Sequence, residues 1–196
     1  LFSSEGKAVR FEESEVRAMG RTARGVRGMT LPDDGEVISL IVADPEAQIL
    51  TACENGYGKR TLVSEFPTKG RGGKGMLAIR TSERNGKLMG VVQVKDGNEI
   101  MLISDQGTMV RTRVDEVSVM GRDTQGVTLI RLGEGEHLVG IERIEEVSSA
   151  DVEEAIDAPS LVDESSSIDD DSASGADDNA AGNEPDAQAE GEGSDE

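Results

Sequence analysis

Residues 55–75 read Asn55-Gly56-Tyr57-Gly58-Lys59-Arg60-Thr61-Leu62-Val63-Ser64-Glu65-Phe66-Pro67-Thr68-Lys69-Gly70-Arg71-Gly72-Gly73-Lys74-Gly75. A tight Asn-Gly turn opens the stretch, a strand-like run follows, and a glycine-rich cationic loop closes it. Its landmarks recur on both sides. Gly6, Gly56 and Gly107 are each followed, 14 residues on, by Gly20, Gly70 and Gly121, and five residues later by Gly25, Gly75 and Gly126. The second glycine always precedes an arginine: Arg21, Arg71 or Arg122. Four residues after the first glycine stand Arg10, Arg60 and Arg111, and nine after it Glu15, Glu65 and Glu116. The repeats are spaced by 50 and 51 residues, a period that belongs to propeller-like arrays or solenoids.

Within each repeat the apolar runs are short and bounded by turn residues, which predicts strands. The expected strands are 26–31, 76–79 and 127–132, then 37–42, 88–94 and 138–144, then 49–53 and 100–104, and last 59–63 and 108–114. Four antiparallel strands per repeat describe a propeller blade. The reading is an all-β, β-pinwheel or propeller-like array of about three four-stranded blades (1–48, 49–98 and 99–146), a partial ring followed by an acidic tail. Three blades leave sheet edges open, and the chain starts at Leu1 rather than Met, so further blades are expected upstream.

Composition agrees. Aromatic residues make up 2% of the chain, with no Trp, against 24 Gly, so the core has to be aliphatic and frequently turned. The formal net charge of −20 is unevenly spread: residues 147–196 hold 17 acids and no Lys or Arg, leaving 23 acids and all 20 bases in the nearly neutral body. A Ser-, Gly- and acid-rich tail cannot bury enough apolar surface to offset its backbone entropy and is expected to be disordered, with at most a short helix near 151–156. No apolar run approaches the roughly 20 residues of a membrane helix, and no signal sequence opens the chain. A soluble intracellular, cytoplasmic protein is expected. Cys53 has no second cysteine, and with His137 the only histidine no Cys/His metal site can be assembled.

The recurring chemistry lies in the loops after the fourth strand. Arg17, Arg21, Arg24 and Arg27 surround Gly20 and Gly25; Lys69, Arg71 and Lys74 surround Gly70 and Gly75; Arg122 lies between Gly121 and Gly126. Glycine lets backbone N–H groups approach a phosphate, and Arg or Lys neutralises it with release of counterions. Repeated along a cyclic array, such loops form a cationic rim suited to bent duplex; without interleaved aromatic residues they do not suit stacked single strands. The candidate DNA-contacting residues are Arg17, Arg21, Arg24, Arg27, Lys59, Arg60, Lys69, Arg71, Lys74, Arg111, Arg113 and Arg122. The matched pairs Arg10/Glu15 and their equivalents are expected as ion pairs bridging blades. Residues 70–75 satisfy G-x-G-x-x-G, but Met76 and Leu77 continue as a strand rather than the helix a dinucleotide loop needs. His137 has no neighbouring nucleophile and reads as structural or exposed.

The repeat, the segment from Glu65 to Gly75, Gly107-Thr108-Met109-Val110-Arg111-Thr112-Arg113 and Gly121-Arg122-Asp123-Thr124-Gln125-Gly126-Val127 resemble the C-terminal domain of the bacterial DNA gyrase A protein over essentially all of residues 1–146. The resemblance implies a β-pinwheel whose neighbouring blades exchange strands and whose basic rim wraps double-stranded DNA. It further implies membership of an ATP-dependent type II topoisomerase of two A and two B subunits, which introduces negative supercoils. ATP and Mg2+ would be bound elsewhere in that enzyme, with no cofactor and no catalytic residue in this fragment. The family's Gln-Arg-Arg-Gly-Gly-Lys-Gly box is matched only in its last five positions, by Arg71 to Gly75, so these residues carry over as a basic rim loop alone. Tyr57, flanked by glycines, lacks the arginine that precedes the family's cleavage tyrosine and reads as a turn residue. Two alternatives stand beside this reading: the related C-terminal domain of topoisomerase IV, and a propeller scaffold that binds proteins. The acidic tail is expected either to compete with DNA for the rim or simply to keep the chain soluble.

Overall fold

The computed structural model describes residues 1–144. The chain divides into two units, Leu1–Glu153 and Glu154–Glu196, and every described residue belongs to the first. The expected tail, 147–196, and its short helix lie outside the described residues.

Eleven short strands run through the described residues: β1 Phe2–Ser3, β2 Lys7–Ala8, β3 Val37–Ser39, β4 Gln48–Cys53, β5 Tyr57–Leu62, β6 Met76–Leu77, β7 Leu88–Val94, β8 Glu99–Ser104, β9 Met109–Arg113, β10 Val127–Thr128 and β11 Leu138–Ile144. All named pairings are antiparallel. They form three sheets in the orders β3-β1-β2-β6, β10-β5-β4-β7 and β11-β8-β9. Each sheet is built on a hairpin of consecutive strands, and Gly6, Gly56 and Gly107 make its turn with φ of 71°, 78° and 86°. A Cβ at Gly6 or Gly56 would also collide with the carbonyl oxygen of Ile79 or Ile130, so only glycine fits there.

The sequence places four strands in one repeat; the structure places them in two sheets. β6 belongs to the second repeat but pairs with β2 of the first (Lys7 opposite Leu77, Ala8 opposite Met76). β10, of the third repeat, pairs in the same way with β5 of the second (Tyr57 opposite Thr128, Gly58 opposite Val127). The segment behind each exchanged strand is pinned by the hairpin turn it crosses: Ala78 and Ile79 N–H donate to the Gly6 carbonyl, and Leu129 and Ile130 N–H to that of Gly56. Residues 26–31, which match β6 and β10, form no strand. β3 likewise ends at Ser39 rather than 42, because its partner β1 offers only Phe2 and Ser3 for pairing.

Two apolar clusters fill the spaces between sheets. Phe2, Ala8, Ile49, Cys53, Val63, Phe66, Ile79 and Leu88 belong to one; Leu50, Ala52, Val94, Ile100, Leu102, Val114, Val117, Ile130 and Leu138 belong to the other. Strand β4 divides its side chains between them, Ile49 and Cys53 to one face and Leu50 and Ala52 to the other, as the two-residue period of a strand requires. Every residue of β4 is buried, and the burial of each large aliphatic side chain contributes about 1.5–3 kcal/mol. The sole aromatic pair, Phe2 and Phe66, meets edge to face with centroids 5.9 Å apart and joins the first repeat to the second.

Candidate nucleic-acid interface

Each cationic loop begins where the chain leaves its sheet through a 3-10 turn, Glu13–Glu15, Val63–Glu65 or Val114–Glu116. It ends at Gly25, Gly75 or Gly126, with φ of 79°, 79° and 81°. Exchange of the following strand draws the loop onto the repeat before it. The Gly72 N–H donates to the Gly28 carbonyl (2.6 Å), the Thr30 N–H to the Gly73 carbonyl (2.9 Å) and the Lys69 N–H to the Arg10 carbonyl (2.7 Å). The Thr30 hydroxyl adds a bond to the Gly72 carbonyl at 2.7 Å. Residues 17–28 and 69–75 thus meet as one glycine-rich surface.

The cations divide by what their head groups touch. Arg17, Arg21, Arg24, Arg27, Lys69 and Lys74 are exposed, and among the described residues their side chains have no hydrogen-bond or ion-pair partner. All six stand on the two merged loops. Most other exposed bases are occupied: Arg80 by Asp123, Lys87 by Asp34 and Glu5, Lys95 by Asp44, Arg111 by Glu99 and Arg113 by Glu116, while Arg84 stacks over the Tyr57 ring at 4.6 Å. Lys7 escaped the sequence reading. A Cβ placed on Gly75 would sit 3.3 Å from that of Lys7, so this half-buried lysine borders the same loop. Position alone reveals it, since no motif marks it.

Two expected DNA contacts are overturned. Lys59 is 0% exposed and Arg60 7% exposed, so neither is presented to a duplex. The Lys59 Nζ donates to the Gly121 and Arg122 carbonyls, both at 2.6 Å. Arg60 donates through Nε to the Val117 carbonyl (2.7 Å) and through Nη1 to Asp96 (2.7 Å). They fail as surface cations because the third repeat's loop packs over β5, in an edge-strand position that sequence periodicity alone cannot distinguish from an open one.

Two of the three matched arginines, Arg10 and Arg60, are clasps between repeats, while Arg111 pairs with Glu99 of its own sheet. Arg10 donates through Nη1 to the Val63 and Phe66 carbonyls at 3.2 and 3.0 Å, as Arg60 does to Val117. The expected Arg10/Glu15 ion pair is not formed; backbone carbonyls of the next repeat take the carboxylate's place. The arginines after the second glycine clasp the preceding repeat. Arg71 Nη1 donates to the Arg27 carbonyl (3.1 Å) and its Nε to the Glu15 carbonyl (3.0 Å), while Arg122 Nη1 donates to the Leu77 carbonyl (3.1 Å). Arg71 remains exposed; Arg122 is half-buried. The third loop stands on the second repeat as the second stands on the first, but it offers few unpaired cations.

Burial pushes the Lys59 ammonium down to about 8, with Asp123 and Cys53 partly opposing and Arg122 assisting the fall. The same burial, with Glu54 adding, pushes the Cys53 thiol up to about 12, so it is not a reactive thiolate. Exposed His137 faces Asp105 (3.5 Å). Among the described residues no cluster of His, Cys, Asp and Glu could hold a metal ion, and no helix is long and apolar enough to cross a membrane.

Strand-exchanging sheets of a fifty-residue repeat, carrying glycine-rich loops with exposed, unpaired cations, define a propeller-type array with a cationic surface. The chain belongs to the family of DNA gyrase C-terminal domains of β-propeller type, whose model matches residues 1–44, 47–95 and 98–145. It is 62% identical over 154 residues to the DNA gyrase A protein of Pseudomonas aeruginosa, covering 79% of this chain and 17% of that relative. The chain therefore spans about a sixth of the length of that curated relative. Among solved structures it is similar to a DNA gyrase A C-terminal domain, with a TM-score of 0.69 and 28% identity over 74% of this chain and 49% of the other. It also superposes on the C-terminal domain of DNA topoisomerase IV (TM-score 0.72, 23% identity, 79% of this chain and 49% of that one), which establishes likeness of fold alone.

Proposed function

We propose that this chain binds and bends double-stranded DNA as the C-terminal part of the gyrase A protein, within a cytoplasmic type II topoisomerase that introduces negative supercoils. One observation carries the DNA reading: six unpaired cations gathered on two glycine-rich loops held together by hydrogen bonds. Phosphates of a duplex crossing the loops are neutralised by Arg17, Arg21, Arg24, Arg27, Lys69 and Lys74, while Arg71 and Arg122 hold the loops in place. Bending 20–30 base pairs costs on the order of 1–6 kcal/mol, which many phosphate contacts offset together. Backbone contacts carry little sequence information, so base selectivity is low. Wrapping in one hand presents a positive crossing to the cleavage machinery, and passage of a segment through it leaves negative supercoils. The remaining segments of the A protein and the B protein, in an A2B2 assembly, supply cleavage and ATP hydrolysis with Mg2+ outside this chain.

The high identity to the gyrase A protein supports gyrase over topoisomerase IV. The test is duplex binding across a salt series. Replacing Lys69 and Lys74 by Ala should reduce the slope of log K against log salt by about 1–2, since each phosphate contact contributes ~0.9. Salt-insensitive binding, or an unchanged slope in the double variant, would remove these loops from the interface.

A further inference from the structure

The Glu15 carboxylate reaches into the cationic loop of the second repeat, yet among the described residues it forms no ion pair with a Lys or Arg side chain. Glu15 closes the 3-10 turn Glu13–Glu15, where its Oε1 accepts the Glu12 N–H at 3.4 Å. Its Oε2 accepts the backbone N–H of Arg71 at 3.1 Å and lies over Gly70, where a Cβ would come 3.6 Å from it. Gly70, Arg71, Gly73 and Lys74 are all exposed. A backbone N–H in an exposed, glycine-rich, cationic loop is a donor suited to a phosphate oxygen, and here a carboxylate oxygen, the same kind of acceptor, already holds it.

Comparison of the repeats shows that this bond is not needed to hold a loop in place. Glu65 and Arg122 match Glu15 and Arg71. Arg122 clasps the Leu77 carbonyl while Glu65, exposed, makes no hydrogen bond or ion pair among the described residues. The second loop is likewise seated by bonds that do not use the carboxylate: Lys69 to Arg10, Gly72 to Gly28, Thr30 to Gly73, and the Arg71 side chain to the Glu15 and Arg27 carbonyls. The carboxylate can therefore leave the Arg71 N–H with the loop still seated and its own turn still capped through Oε1.

We propose that Glu15 is an internal substitute for a DNA phosphate: it holds the Arg71 N–H in the free protein, and a duplex backbone has to displace it to take that N–H. The inference rests on the DNA-binding reading above and adds a residue that sets how tightly the second loop holds DNA. A phosphate oxygen forms the same charge-assisted bond, and Lys69 and Lys74 on the same loop favour phosphate through release of its counterions. The Gly73 and Lys74 N–H groups, which have no partner among the described residues, are further donors for phosphate oxygens. Once displaced, the carboxylate keeps its negative charge beside the duplex. The exchange therefore costs affinity, and the loop releases DNA more readily than its cations alone would allow.

The test compares duplex binding by the full chain with that of Glu15→Gln and Glu65→Gln, which each remove one negative charge from matched positions. Glutamine keeps an oxygen for the Glu12 N–H, so the turn is retained. Glu15→Gln should raise affinity at low salt roughly three- to tenfold, because a charge-assisted competitor becomes a neutral one. Glu65→Gln, which holds no loop N–H, should raise it less than about twofold. In isotope-labelled chains the Arg71 amide resonance should differ between parent and Glu15→Gln when free and coincide when both are bound to duplex, since a phosphate then holds that N–H in each. Equal gains in the two variants, or Arg71 resonances that stay apart in the complexes, would overturn the displacement while leaving DNA binding intact. A parent chain that retains no duplex at low salt would overturn both this inference and the reading on which it rests.

Discussion

Lys59 shows how much a single residue's role depends on its neighbours. The matched positions in the first and third repeats are Val9 and Val110, so the lysine replaces an apolar residue at the same point of the hairpin. It is tolerated because the two carbonyls of Gly121 and Arg122 receive its ammonium. Burial lowers its pKa from 10.5 to about 8, so the unfolded chain holds the proton more tightly than the folded one. Folding is therefore penalised below about pH 8, and the penalty disappears as the pH rises towards 10.5. Relative to a Lys59→Met variant, the parent chain should gain stability between pH 8 and pH 10, measured by urea denaturation at each pH; parallel curves would show that burial does not perturb Lys59. A second single-residue test concerns Gly56, whose φ of 78° and whose approach to the Ile130 carbonyl leave no room for a methyl group. Gly56→Ala should cost on the order of 1–3 kcal/mol in the same assay, whereas Gly20→Ala, where a Cβ would meet nothing within 4 Å, should be nearly silent. The glycine spacing was plain in the sequence. Which of those glycines the backbone cannot do without was not, because φ and close approaches appear only once the exchanged segment lies on the turn.

Among the elements, the short exchanged strands β6 and β10 do more than their length suggests. Each has two residues, and each is anchored by the segment behind it, where Ile79 or Ile130 enters a core cluster. Ile79→Ala should cost about 2–5 kcal/mol through the cavity it leaves. It should also speed amide exchange at Ala78 and Ile79, whose N–H groups bond to Gly6, before it affects β8 and β9; uniform loss of protection would show that the segment is not a separate element. The apolar runs and Asn-Gly or Asp-Gly turns located most strands to within a few residues. Strand period cannot say which hairpin a strand joins, however, and β6 and β10 both join the one belonging to the repeat before. Residues 26–31 have the same pattern as β6 and form no strand, which shows that pattern permits a strand while a partner edge makes it.

For the molecule as a whole, local pairing matters more than total charge. The body is slightly acidic by formal count, yet six cations on two merged loops stay unpaired while most other bases are occupied by carboxylates or carbonyls. Two triple variants with equal loss of charge separate these effects. Arg24→Ala, Lys69→Ala and Lys74→Ala together should reduce duplex affinity at least tenfold at moderate salt. Arg80→Ala, Lys95→Ala and Arg113→Ala together, all taken from ion pairs, should change it less than threefold. Equal losses in a filter-binding titration would mean that net charge alone governs binding.

By itself the sequence determined the repeat length, the β content, the aliphatic core and the glycine-rich cationic loops, because each of these is written in local composition and spacing. The tertiary structure decided which cations face outward. Strand exchange lays each loop over the preceding repeat, buries Lys59 and Arg60 beneath residues about 60 positions away, turns Arg10, Arg71 and Arg122 into clasps, and leaves Arg17, Arg21, Arg24, Arg27, Lys69 and Lys74 exposed without partners. A side chain's availability depends on what packs over it, and here the covering residues come from another repeat, beyond the reach of any local signal.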